Sequence, residues 1–518
     1  MRTSFPSFDQ PNLKATFDLT LTMPISWNTI SSAPVKKRND RRFRSTVKFE
    51  RSNLMSTYLF SFVAGEFEEI TRNVDGIEMT MLHREPDQRK VKHNIDAIFQ
   101  HHKASIDYME EYTGIKFPFK KFGFVLIPSF QFGGMEHVGA IQYKARTLML
   151  DIDPPKTDLL GRAALIGHET AHMWFGDFVT MDWFNDVWTK EVFANFMSAK
   201  LVNPSFPEIN HDLRSHLRLH PGAYAVDRSE GPNPIRQDLP NLNEAGSMYG
   251  AIIYNKAPIM MRQLEKMLGE ENFRDGIREY LNTYAFGNAT WPNLIEILDR
   301  RSDADLKQWS EVWVNTSGRP IFNVDREMDN VILSQQDPSD RDRKWPQFFE
   351  FKNGPNPIDI SFSRDSIRLK ANPHETFLVN SNGLGYGLFP IEKEFITEKW
   401  PSLSDLEKAS AYVNLYEQLM ESNGTINAIE YIELIIWSIN NEQNSLIINH
   451  LMRQLTSIYW SLLTSEERED ISPALETALW DAIITEGRIP GDKKVYFKAY
   501  ANIALTGDTL ERLVGIWD

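Results

Sequence analysis

Two histidines and a glutamate in His168-Glu169-Thr170-Ala171-His172 have the types and spacing for hydrolytic metal chemistry. They lie in Leu159 to Phe175, an Ala- and Leu-rich run without proline, which predicts a buried helix. Residues four apart on a helix stand one above the other, so His168 and His172 present their imidazoles to one point. Two neutral imidazoles aimed together suit a borderline cation, above all Zn²⁺. Glu169 is turned away from that vertex and is placed to act as general base on a metal-held water. A chance pattern in a core helix is the competing reading. A catalytic zinc needs a third protein ligand and one open position. Glu191 follows His172 with eighteen residues between them, on a second apolar run between Trp188 and Phe193. A carboxylate buried in such a run needs a partner. A turn near Gly176-Asp177 lets the second helix fold back on the first and complete a His₂Glu set.

This spacing resembles the gluzincin metallopeptidases. The flanks, His168 to Thr180 and Trp183 to Glu191, are similar to those of the aminopeptidase N family, and the resemblance runs from Phe5-Pro6-Ser7-Phe8-Asp9 over nearly the whole chain. It implies one Zn²⁺ per chain and peptide substrates with a free N-terminus. In Phe130-Gln131-Phe132-Gly133-Gly134-Met135-Glu136-His137, Gly133 and Gly134 strip one piece of backbone of side chains, so a peptide can lie beside it as an added strand. A plain Gly-Gly turn is the alternative. The family carries Gly-x-Met-Glu-Asn here. Gly133, Met135 and Glu136 match it, and the resemblance implies that Glu136 holds the substrate's α-amino group and that Met135 lines the first side-chain pocket. His137 replaces the usual Asn and is expected to pack. Tyr254, in Tyr254-Asn255-Lys256-Ala257, matches the catalytic tyrosine of the family, whose phenol would donate to an oxyanion.

The surrounding chain must position these groups. At 518 residues it is too long for one core. A net charge of −15 argues against nucleic acid as a partner, since phosphates call for the opposite sign. With no cysteine, disulfides, thiolate metal sites and Cys nucleophiles are excluded. No segment has the apolar length of a membrane span, and Met1-Arg2-Thr3-Ser4 does not open a signal peptide. The compartment, cytoplasm or cell envelope, is left open.

The expected fold class is α+β and multidomain. Residues 1–66 form part of an N-terminal β domain, the resemblance implying that the rest of it lies upstream. Residues 67–320 form a thermolysin-like zinc domain, residues 321–395 a small β-sandwich, and residues 396–518 an α-helical domain expected to be incomplete. Ala15 to Met23 and Leu54 to Val63 alternate like half-buried strands, and the basic cluster Lys36-Lys37-Arg38, Arg41-Arg42 and Arg44 between them is expected to be a solvated loop. His101 and His102 are expected at the surface, as are His211, His216 and His220, with Pro221 ending their run. Ser404-Asp405-Leu406-Glu407 is a capping box that opens the helical region. The functional expectation is a zinc aminopeptidase. A thermolysin-type endopeptidase and a catalytically silent scaffold of the same fold are its rivals.

Overall fold

The computed structural model describes residues 5–421 and 424–517. They form two compact units: Met1–Ile209 with Asn233–Ser317, and Asn210–Pro232 with Gly318–Asp518. Among the described residues no helix is long and apolar enough to cross a membrane.

The first unit is built on a five-stranded sheet. Its strands are β1 (Glu68–Val74), β2 (Ile77–His83), β3 (Phe122–Ile127), β4 (Gly134–Met135) and β5 (Ile141–Lys144). Their order across the sheet is β4-β5-β3-β2-β1, with β3 parallel to both its neighbours. Helix α1 (Gln88–Thr113) starts at an Asp87 cap and ends at Gly114 in the left-handed region. It buries Ile95, Ile98, Phe99, Ile106 and Met109. His102 lies on this buried side, not at the surface. Its Nδ1–H donates to the Ile98 carbonyl (2.8 Å), Tyr143 Oη donates to its Nε2 (3.0 Å), and its ring stacks on Phe124. Burial drives its pKa down to about 3, so it is a neutral link between helix and sheet. His101, beside it, is half-buried.

Helices α2 (Lys156–Ala171) and α3 (Val187–Val202) carry the histidine pair and Glu191. Phe175 and Phe193 stack with ring centroids 4.6 Å apart, and Ser198 Oγ donates to the Ala164 carbonyl. Gly167 makes the approach possible, because a Cβ there would stand 3.0 Å from Leu201 and 3.2 Å from Ser198 Oγ. The entrance to α3 is held by Arg236, whose guanidinium donates twice to the buried carboxylate of Asp186 (2.6 and 3.2 Å). Trp183 Nε1 donates to the Leu239 carbonyl nearby.

Two N-terminal expectations are corrected. The basic cluster is not a loop but the hairpin Val35–Arg41 with Arg44–Phe49, whose first strand is exposed at every residue. Charged side chains on such an edge discourage pairing with other chains. Leu54 to Val63 is not one strand either. Met55–Ser56 and Phe62–Gly65 are strands, and Thr57–Leu59 between them is a 3₁₀ turn that takes Tyr58 toward Lys190. Ala15 to Met23 keeps its alternation of faces, but only Lys14–Ala15 and Thr20–Pro24 pair as strands.

In the second unit two three-stranded sheets face each other. One has the order Ile321–Glu327, Asn330–Gln336, Ser366–Leu369 and the other Pro357–Phe362, Gln347–Lys352, Leu378–Val379. Phe322 and Leu333 from one sheet meet Phe349, Phe351 and Phe362 from the other in a single core, which makes a small sandwich. Helices follow at Asp405–Met420, Ala428–Asn441, Ser445–Ser461, Ser465–Ile484, Pro490–Ile503 and Gly507–Trp517. Capping boxes open three of them, at Ser404 with Glu407, Asn427 with Glu430 and Thr464 with Glu467. The helix His211–Asp227 belongs to this unit and runs through Pro221, because burial of Ala223 and Tyr224 outweighs the backbone bond that proline removes. His216 and His220 are buried, against expectation: His216 Nδ1–H donates to the Gly383 carbonyl and His220 Nε2–H to that of Gly385. His211 is half-buried.

Removing Arg236 leaves Asp186 as a buried charge without its cation. Arg236→Ala is expected to destabilise the first unit by about 3–5 kcal/mol, and Arg236→Ala with Asp186→Ala by clearly less. Urea unfolding followed by tryptophan fluorescence checks both.

Candidate metal centre

Helix α2 stops at Ala171 and His172 caps it, so the pair sits on the helix's last turn, where the chain leaves for Gly176. His172 Nδ1–H donates to the Phe175 carbonyl (2.9 Å), which fixes its tautomer and turns Nε2 to the site. His172 Nε2 lies 3.1 Å from His168 Nε2, and Glu191 Oε2 is 3.4 Å from His168 Nε2 and 3.7 Å from His172 Nε2. Ligands at about 2 Å in a tetrahedral shell stand about 3.3 Å from one another. The three donor atoms thus form one face of such a shell, and two imidazoles with one carboxylate are a donor set for Zn²⁺ that keeps a position open. The residues fit the ion.

Glu136, Glu169 and His172 also bring ligand-type atoms within 4.8 Å of one another, so both carboxylates adjoin the triad. Glu169 is 4% exposed, and its Oε2 has no hydrogen-bond partner. Burial pushes its pKa up to about 8; His172 opposes the rise and Glu136 adds to it. For Glu136 burial acts upward too, but the Lys190 ammonium and His172 prevail and hold it at about 2. Burial opposes charge on His172, yet flanking Glu136 and Glu191 draw it up to about 9. The same negative field favours a cation where the imidazoles meet.

Gly134 lies on the edge strand β4, paired with Tyr143 of β5. A Cβ at Gly134 would fall 2.2 Å from Glu169 Oε1, so this glycine is what lets the edge strand pass against Glu169. At Gly133 a Cβ would make ordinary contact with Leu165. Met135 is half-buried and Glu136 is 3% exposed. His137 donates from Nδ1 to the Leu59 carbonyl (3.1 Å), a packing role. Tyr254 sits on a π-helical turn, Ile252–Lys256, stacked on Tyr249. Burial first, then Glu191, raises its pKa far above neutrality and keeps the phenol protonated.

Sequence reasoning passed over three groups. Lys190 donates to Glu136 Oε1 (2.5 Å) and pairs with Glu191 Oε1 (2.8 Å). Tyr58 places its ring 5.7 Å from the Lys190 ammonium. Asp177 is fully buried with neither carboxylate oxygen hydrogen-bonded, and burial, then Glu136, lifts its pKa well above the usual range. The argument that a charge in an apolar run needs a partner singles out Lys190 as much as Glu191. No local signal marks the other two.

The peptidase family M1 domain model matches residues 98–313, and the peptidase M1 N-terminal domain model matches residues 1–59. The chain belongs to the M1 peptidase family. This M1 chain is 30% identical over 472 residues to the Tricorn protease-interacting factor F2 of Thermoplasma volcanium, covering 88% of this chain and 58% of that protein. Identity to the aminopeptidase N of Streptomyces lividans is 32% over 344 residues, covering 64% and 39%. To the human glutamyl aminopeptidase it is 27% over 509 residues, covering 92% and 51%. The M1 chain spans about half the length of the curated relatives it matches.

One equivalent of zinc is expected per chain. His172→Ala and Glu191→Ala should each weaken zinc retention by more than about 100-fold, beyond the effect of altering groups that only orient ligands. Glu169→Gln should keep the metal. Chelator competition read by metal analysis distinguishes these outcomes.

Proposed function

We propose that this M1 chain is a zinc-dependent aminopeptidase that hydrolyses the first peptide bond of peptides with a free α-amino group. The observation that carries the reading is the placement of Glu136, an almost fully buried carboxylate, beside both Glu169 and the His168, His172, Glu191 triad. An internal peptide segment offers such a carboxylate no cation, whereas a chain terminus brings an ammonium. Relatives such as aminopeptidase 2 and aminopeptidase N support the same activity.

His168, His172 and Glu191 would hold Zn²⁺, which when bound would supply a Lewis acid to activate a water near neutral pH. The free edge of β4 offers backbone groups to a substrate strand, and Glu136 takes its α-ammonium, so the first carbonyl falls at the triad. Met135 lines the pocket for the first side chain and, being pliable, accepts several apolar groups. Glu169 takes the proton from the attacking water at its carboxylate and hands it to the leaving nitrogen, a task for a group whose burial favours the protonated form. Tyr254 donates its phenolic hydrogen to the developing oxyanion, and its raised pKa keeps that hydrogen in place.

The zinc-loaded chain is expected to cleave a leucyl anilide about 30-fold or more faster than the N-acetylated substrate, since a blocked amine brings no positive charge to Glu136. Chelation abolishes turnover and added zinc restores it. Glu169→Gln lowers kcat by about 10²–10⁴-fold, and Tyr254→Phe by about 10²–10³-fold. Gly134→Ala, which displaces Glu169, is as damaging as Glu169→Gln, while Gly133→Ala stays near the parent. Faster cleavage of the acetylated substrate points to an endopeptidase. Stoichiometric zinc without turnover points to a silent scaffold.

A further inference from the structure

An amine-anchoring role for Glu136 leaves Lys190 unexplained. Lys190 precedes Glu191 on α3 and is 6% exposed. Its ammonium is engaged on three sides, by Glu136 Oε1, by Glu191 Oε1 and by the face of Tyr58. One oxygen of each carboxylate is thereby taken. Glu191 keeps Oε2 for the two imidazoles. Among the described residues, no hydrogen-bond donor meets Oε2 of Glu136. An α-ammonium arriving at Glu136 therefore meets a carboxylate already paired with an ammonium, and like charges on one carboxylate repel.

We propose that Lys190 is a specificity-tuning residue of the amine site, a resident ammonium with which the α-ammonium of substrate or product must share Glu136. This rests on the aminopeptidase reading above. Its consequences are two. With no amine bound, Lys190 is the ammonium that balances the buried carboxylate of Glu136. With an amine bound, it weakens the hold on that amine. Every turnover produces an amino acid bearing an ammonium, and a carboxylate with no other cation would retain it. Lys190 acts through Glu136 and touches no reacting atom, which makes it a positioning residue.

The test uses the zinc-loaded full chain and two non-hydrolysable probes that differ in the amine alone, L-phenylalaninol and 3-phenylpropan-1-ol, titrated by calorimetry. Lys190→Met is expected to bind L-phenylalaninol at least about tenfold more tightly than the parent, with 3-phenylpropan-1-ol unchanged. Lys190→Arg keeps the charge and stays close to the parent. Lys190→Met combined with Glu136→Gln loses the gain. In kinetics, KM for a leucyl anilide falls in Lys190→Met without a rise in kcat. Should Lys190→Met fail to fold in thermal unfolding, Lys190→Gln carries the same expectation. Amine affinity that is unchanged or weaker in the uncharged variants, or a parallel change in both probes, overturns the inference. Turnover by the parent chain judges the aminopeptidase reading separately, since the calorimetry needs none.

Discussion

Three carboxylates, Glu136, Glu169 and Glu191, are buried around one pair of imidazoles, and the rest of the first unit serves to make that tolerable. Ionised groups shut away from water demand counter-charges close by. Lys190 supplies one, and His172, drawn toward its charged form by Glu136 and Glu191, leans the same way. Glu169, whose Oε2 has no hydrogen-bond partner, is the one of the three whose pKa is raised. The environment thus separates the carboxylates into charged and protonatable groups.

That electrostatic arrangement requires close packing. Gly167 brings α3 against α2 at the level of the histidines, and the Phe175–Phe193 stack closes the same gap one turn on. Gly134 brings a bare strand edge against Glu169. In both places the missing side chain determines how closely two elements of the fold approach.

Much of this was legible in the chain. The four-residue spacing of His168 and His172 and the apolar setting of Glu191 follow from helix geometry and the penalty on lone buried charges, and the capping box at Ser404 marks the helix that begins at Asp405. Gly133 and Gly134 could be read as a place of close approach, but not that Glu169 is what approaches Gly134. The histidines were harder. His102, His216 and His220 look solvated beside their charged neighbours, yet each ring meets a carbonyl on its own helix or more than a hundred residues away. Local periodicity has no access to such partners, and the same holds for Tyr58 under Lys190.

Tyr58 also bears on what the N-terminal strands contribute. The 3₁₀ turn Thr57–Leu59 interrupts an alternating pattern that would otherwise have continued as a strand, and the interruption has local effects on the site. It lays the Tyr58 ring against the Lys190 ammonium and aims the Leu59 carbonyl at His137, the residue after Glu136. A strand through these residues would have sent Tyr58 and Leu59 to opposite faces. The turn lets consecutive residues address the cation that neutralises Glu136 and the backbone that carries it. The N-terminal strands thereby belong to the electrostatics of the candidate metal centre.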